Sequence, residues 1–335
     1  MGVPATALRL TQVGAETTRG SPVTPNKIFA VLSVSPGEGR TGYEQIQQMG
    51  SLAPVDVAPG YRWLEGEIEG PISVPDALYI IASAFGAPTP DSIEDSGNPT
   101  GAYRWHWTVS GSQPITPKTL TVETGQAGVL AFRMAGCQAT DLEFTLNTEE
   151  TELSGTLLGI APEPLSTLSS GATRLPRAVI DPRLVKVYTA ATLAGLDTAT
   201  ALGRVREVAI SYGEQVAPAA FLGAPSVELV PQMDETEFTL RLAADNEARA
   251  RFNEYANGDR IYFRVVAQGP VIYQAGSTVI RHSLAITLPV KWTEPSEMAD
   301  DDDGIWVLEF TGAIIEDADL GGFTEIELVT SISTL

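Results

Sequence analysis

Trp63–Gly86, WLEGEIEGPISVPDALYIIASAFG, holds two different periods in one stretch. From Trp63 to Glu69 the residues alternate, Leu64 and Ile68 on one face and Glu65, Glu67 and Glu69 on the other, the period of a half-buried strand. After Gly70 and Pro71 the alternation stops. Val74 begins an apolar helical run with Pro75 and Asp76 in its first turn, and Gly86 is a C-terminal stop. The arrangement recurs further on. TEFTLRLA (236–243) leads into a helical stretch from Asp245, a candidate N-cap, through NEARARFNEYAN to Gly258, with Ala248, Phe252 and Tyr255 on one face. RIYFRVVA (260–267) follows the second helix as YRWHWTVS (103–110) follows the first.

Elsewhere the pattern is of strands punctuated by turns, with 31 Gly and 23 Pro between short segments rich in Val, Ile, Thr and Phe. Further strands are expected at Lys118–Glu123, Gln138–Leu146, Arg204–Tyr212, Ser283–Val290, Ile305–Thr311 and Thr324–Val329. The expected fold is mainly β with two short helices.

The two strand–helix–strand units point to a duplication within the chain. FRMAGCQATDLEFTLNTEETELSGTLLG (132–159) matches LGRVREVAISYGEQVAPAAFLG (202–223) in rhythm, each an alternating strand, an acidic turn and a second strand. The organisation expected is an N-terminal arm over 1–24, a first β domain over 25–165 with a long Gly/Pro/Gln-rich loop at 35–60, and a second, related domain over 184–335. A linker at 166–183 lies in the Pro/Ser-rich stretch that starts near Ala161.

Composition narrows the function. Cys137 is the single cysteine and His106 and His282 the only imidazoles, which leaves disulfide frameworks, thiolate metal sites and hydrolytic triads short of parts. No catalytic, cofactor-binding or metal-binding residue is assigned, and no enzyme is expected. The 42 acidic and 21 basic residues give a net charge of −21, the reverse of a surface that grips phosphates. No stretch approaches the ~20 apolar residues of a membrane span, and the first residues lack the pattern of a secretion signal, so the chain is expected in the cytoplasm.

The carboxylates fall on strand faces. Besides Glu65, Glu67 and Glu69, Asp141 and Glu143 oppose Leu142, Phe144 and Leu146, and Glu149, Glu150 and Glu152 continue the charge through the next turn. In the second half Glu235 and Glu237 oppose Phe238, Leu240 and Leu242.

VGAETTRGSPVTPNKIFAVLSVS (13–35), GEIEGPISVPDALYIIASAFGAP (66–88), AFRMAGCQATDLEFTLNTEETELSGTLLG (131–159) and the terminal ELVTSIS resemble phage tail tube proteins of long-tailed bacteriophages. The resemblance implies tail-tube-type β-sandwich or barrel domains whose sheets join their neighbours' into a closed, β-lined ring, with rings stacked by arms and loops. The ten carboxylates named above would then line the lumen and repel passing double-stranded DNA. Glu16, Thr17 and Arg19 of the arm and Tyr43, Gln47 and Met49 of the loop would make inter-ring contacts. Duplication favours rings of three chains; without it the ring would hold six. Tape measure and tail terminator or baseplate proteins are the implied partners, the virion tail is the implied location, and no membrane is involved.

MADDDDG (298–304) lacks the alternating ligands of a calcium loop and is expected as a solvated acidic turn before Ile305. His106 stands opposite Trp105 and Trp107 as a packed or edge residue. Those tryptophans carry the alternative function, a β-sandwich carbohydrate-binding or adhesion module with an aromatic sugar platform.

Overall fold

The computed structural model describes residues 9–41, 44–46, 56–58, 60–112, 115–126, 130–221, 227–232, 235–294, 297–302 and 304–335; at 44–46, 56–58 and 297–302 only the backbone is described. Both helices stand where the periodicity places them. Helix α1, Val74–Phe85, is buried at all twelve residues. Its Asp76 does not cap its own helix: the carboxylate accepts from the backbone N–H of Ala30, Val31 and Leu32. Helix α2, Asn246–Asn257, begins at Asp245, whose side chain accepts from Glu247 and Ala248 N–H. It ends at Gly258 in the left-handed region, φ 69°, which glycine enters without a Cβ clash. On α2 Ala248 and Arg251 are buried and Tyr255 packs half-buried against the core, while Phe252 is 37% exposed. Of the apolar face expected there, Phe252 alone turns outward.

The strands at 10–15, 62–71, 98–109, 120–126, 130–147, 151–160, 205–212, 236–243, 260–275, 278–292, 305–314 and 324–330 make the molecule mainly β. One antiparallel sheet runs through both halves. Ser33–Ser35 and Glu38–Arg40 form its first edge and pair with Arg62–Pro71. The order continues through Thr151–Ile160, the second part of Leu130–Asn147, Val205–Tyr212, Thr236–Ala243 and Ile305–Ile314. Glu297–Asp302 forms the other edge, beside the end of Thr278–Trp292. The sheet is open, with two edges. The halves are stitched where Leu142 faces Tyr212 and Asn147 faces Glu207.

Behind this sheet lies a second layer, Lys186–Ala190, Arg260–Ala275, Thr278–Trp292, Thr324–Thr330 and Asn98–Val109 in that order. Helix α1 packs between the layers, against Leu130–Asn147 on one side and Thr324–Thr330 on the other. Phe144, Ile210, Phe238, Phe263, Leu288 and Phe310, all essentially inaccessible, belong to one core with it. Leu130–Asn147 is long enough to leave the sheet: its first part pairs with Leu120–Gln126, which carries Leu10–Ala15 on its far edge.

Spacing repeats along the chain. Val74–Phe85 and Asn246–Asn257 have equal length and stand 172 residues apart (74 to 246). The same step takes Glu38–Arg40 to the end of Val205–Tyr212 (40 to 212) and Glu44–Ile46 to Val216–Ala219 (44 to 216). It also takes Asp56–Ala58 to Glu228–Pro231 (56 to 228) and Arg62–Pro71 to the end of Thr236–Ala243 (71 to 243). The register agrees: Pro71 pairs with Glu152 as Ala243 pairs with Val307, and Glu65 pairs with Leu158 as Glu237 pairs with Ala313.

The structure revises several local expectations. Residues 132–159 and 202–223 share rhythm but not place, because sheet neighbours decide correspondence. The hairpin at 130–160 matches the one at 297–314, and Val205–Tyr212 matches the first edge strands. From Leu10 the expected arm is an internal strand, with Thr11, Gln12 and Val13 buried. The expected linker lies against the first half: Thr173–Arg174 pairs with Lys27–Ile28, and Leu168, Leu175 and Ile180 are buried. Asp300 to Asp302 of the acidic run are strand rather than turn, pairing with Val307 to Ile305, because an edge position needs only one hydrogen-bonded neighbour.

Candidate functional site

Residues paired across an antiparallel ladder point to the same side, so register alone arranges the carboxylates. At one level the partners run Ser33, Glu69, Ser154, Glu143, Ser211, Glu237 and Ala313 across seven strands. Glu69, Glu143 and Glu237 are exposed, while their neighbours Ile68, Phe144 and Phe238 are buried on the other face. Small residues between the glutamates keep the row open.

The next levels carry more charge. Glu67 pairs with Thr156 and Glu65 with Leu158, and Glu152 pairs with Thr145 beside Glu143. Burial and repulsion from Glu150, Glu69 and Glu143 raise the Glu152 carboxyl above the ordinary carboxylate range. These side chains therefore feel one another. Glu149 and Glu150 stand at the hairpin turn, where Asn147 Oδ1 accepts from both of their N–H groups at 2.8 Å. Asp141 is exposed and, at φ 53°, takes the left-handed conformation in the bulge between Thr140 and Glu143. Glu235 is exposed just before Thr236.

Sequence alternation missed one group on this face. Glu207, Arg241 and Glu309 are in register on three adjacent strands, with Arg241 held 3.2 Å from Glu207 and 3.4 Å from Glu309. Parity within REVAISY and TEFTLRLA carries the signal, but which strands adjoin is a tertiary fact.

The expected inter-ring residues separate. Glu16 is 2% exposed and serves the interior: its carboxylate accepts from Thr121 Oγ1, Gly136 N–H and Gly20 N–H, each at 2.8 Å. That network ties down the loop after Leu10–Ala15. Thr17 and Arg19 are exposed, and Arg19 donates to the Leu229 carbonyl. Tyr43, Gln47 and Met49 lie outside the described residues.

The tryptophans offer no platform. Trp105 and Trp107 are 2% and 4% exposed, and their indoles donate to the carbonyls of Ile332 at 2.9 Å and Gly86 at 2.7 Å. Two core anchors replace the sugar-binding surface of the alternative reading. His106, on the outer side, lies 2.7 Å from Glu325. Among the described residues no cluster of three or more His, Cys, Asp or Glu side chains is arranged for a metal, and no helix is long and apolar enough to cross a membrane.

Residues 6–286 match the family model for phage tail tube proteins. The chain belongs to the phage tail tube protein family. It is a structural subunit of the viral tail, mainly β, and its large sheet is open. No curated protein matches the chain.

Proposed function

We propose that three copies of this tail tube subunit close a ring, each contributing two equivalent four-strand units, the duplicated domains expected near 25–165 and 184–335. The observation that carries this is the repeated strand order. In each unit a strand ending at 40 or 212 is followed across the sheet by the one leading into the helix, and then by the two strands of the 130–160 or 297–314 hairpin. Within the chain the last strand of the first unit joins the first strand of the second. Repeating that joint between copies sets Glu297–Asp302 of one against residues 35–40 of the next, and every edge is satisfied. Before assembly the first edge is guarded by its short strands and by Pro36, which lacks an N–H.

Eight strand positions from each of three chains, at a spacing of about 4.8 Å, give a barrel roughly 37 Å across before tilt. That is wide enough for a double helix. In such a ring the face bearing Glu65, Glu67, Glu69, Asp141, Glu143, Glu149, Glu150, Glu152, Glu235 and Glu237 lines the channel. Fixed carboxylates there repel phosphates, so DNA passes during ejection without the counterion release that makes it adhere. Catalysis has no place in this role. Tape measure protein occupies the channel before DNA does, terminator and baseplate proteins cap the stack, and the subunit waits in the host cytoplasm until assembly.

Electron cryomicroscopy of tubes formed by the purified chain tests the reading. Three chains per ring with the glutamate face inward is the expected result; six chains per ring, or an outward glutamate face, refutes it.

A further inference from the structure

Where the hairpin at 297–314 meets α2, the two units differ in one side chain. In the first unit Ile72 N–H donates to the Thr151 carbonyl at 2.9 Å; in the second Ala244 N–H donates to the Trp306 carbonyl at 2.9 Å, the same bond one repeat further on (72 to 244). Thr151 is 3% exposed, and its Oγ1 donates to the Ile180 carbonyl of the segment that closes that corner. Trp306 is 59% exposed, the most exposed large apolar side chain among the described residues, with Ile305 beside it at 41%. An indole left in water forfeits the burial its large apolar area offers.

The opposite end of the sheet holds a seat. Trp306 lies just beyond the Ala243–Val307 pair, whereas Gln215 lies just beyond the Tyr212–Thr236 pair, at the far end of these adjoining strands. Gln215 lines a cavity of about 410 Å³ walled by Ala84, Ile115, Val216 and Leu229, with the exposed Arg19 also on its lining. It is 5% exposed, and its Nε2 donates to the carbonyls of Tyr212 and Gly213. That fixes the amide and leaves Oε1, buried, with no hydrogen-bond partner. A buried acceptor without a donor costs free energy, so the cavity suits a guest that brings an N–H or O–H.

We infer that this cavity receives Trp306 of a second copy, in the adjacent ring of the tube. An indole meets each requirement. Its apolar body matches the four apolar walls, and its Nε1–H, a donor only, matches Gln215 Oε1. Its face offers a cation–π partner to the Arg19 guanidinium, which donates to the Leu229 carbonyl at 3.4 Å on the same wall. Knob and seat stand at opposite ends of the sheet, so the contact is heterologous and repeats head to tail, as stacking along an axis requires. Each ring then fills the seats of the ring beside it, which also fixes the rotation of one on the next. The inference rests on the rings proposed above.

Tryptophan fluorescence of the unmodified protein tests the contact. Acrylamide should quench Trp306 in the free chain and lose access to it in tubes, while Trp105, Trp107 and Trp292 are shielded in both. Trp306→Ala should raise the protein concentration needed for tube growth at least about tenfold, as loss of a buried aromatic anchor does. Trp306→Phe, which keeps an aromatic ring but lacks the N–H, should fall between, and thermal unfolding of the free chains should be unchanged because the side chain is exposed. Paired cysteines locate the contact: Ile305→Cys with Ser112→Cys, beside the knob and on the cavity lining, should couple through a short thiol-reactive cross-linker. Cys137 is fully buried and does not compete. A ladder running past six chains on a denaturing gel is expected, since a contact between rings continues along the tube. Bands that stop at three or six chains place the knob on a ring neighbour and overturn the inference. Tubes in which Trp306 stays open to acrylamide, or Trp306→Ala chains that elongate at the wild-type concentration, overturn it too and leave the ring standing. Failure of the unmodified chain to form rings overturns both.

Discussion

Replacing Asp76 with alanine should cost the unassembled chain about 3–5 kcal/mol, because one buried carboxylate holds three backbone donors. The bonds run from Ala30 at 3.0 Å, Val31 at 2.9 Å and Leu32 at 3.2 Å, and the side chain is 0% exposed. Leu32 is itself buried, and each unsatisfied buried donor costs about 1–3 kcal/mol. Ala30 and Val31 are half-buried and regain water, which holds the total near the lower end. Against a typical stability of about 5–15 kcal/mol this is a large fraction. The loss also reaches function, since residues 30–32 lead directly into the edge strands at 33–40. Denaturant unfolding followed by circular dichroism measures it, with Asp76→Asn, which keeps one acceptor oxygen, expected between wild type and alanine. An alanine variant within about 1 kcal/mol of wild type refutes the assignment, as does an asparagine variant less stable than alanine.

Converting Glu69, Glu143 and Glu237 together to Gln should leave tubes intact and slow DNA ejection; unchanged ejection kinetics in such particles count against a repelling lumen. Burial pushes His282 down to about 4, against about 6.5 for an unfolded chain, and its Nδ1 has no hydrogen-bond partner. Only the unfolded state then takes up this proton between those values, so stability is full above about 6.5 and falls by ~3 kcal/mol as pH drops toward 4. His282→Phe should flatten that part of the pH–stability curve, and parallel curves would exclude the effect. Glu152, raised by burial and by its acidic neighbours, has the opposite sense: its ionised form is disfavoured in the fold at neutral pH. Glu152→Gln should stabilise the unassembled chain at pH 7 by about half a kcal/mol in low salt, with the gain fading near pH 4 and in high salt; a loss of stability at pH 7 contradicts it.

Local chemistry was enough to place both helices and most strands, because alternation, a proline in the first turn and a stopping glycine each act within a few residues. The inward and outward sides of Glu65 to Glu69, Glu143 and Glu237 were legible for the same reason: side-chain direction in a strand follows parity alone. Residue counts also excluded most site chemistry, since one cysteine and two histidines limit what any fold can assemble. What parity does not carry is which strands adjoin. The row from Glu69 through Glu143 to Glu237, the Arg241 bridge, and the correspondence of 130–160 with 297–314 rest on pairings between residues tens of positions apart. Trp105 and Trp107 show the same limit, since alternation put them on one face and only the second layer made that face the core. Glu16 and Asp76 could pass as surface acids in the sequence. Backbone donors brought from Gly136 and from Ala30 to Leu32 make them interior anchors, because a buried carboxylate is stable only where folding supplies its hydrogen bonds.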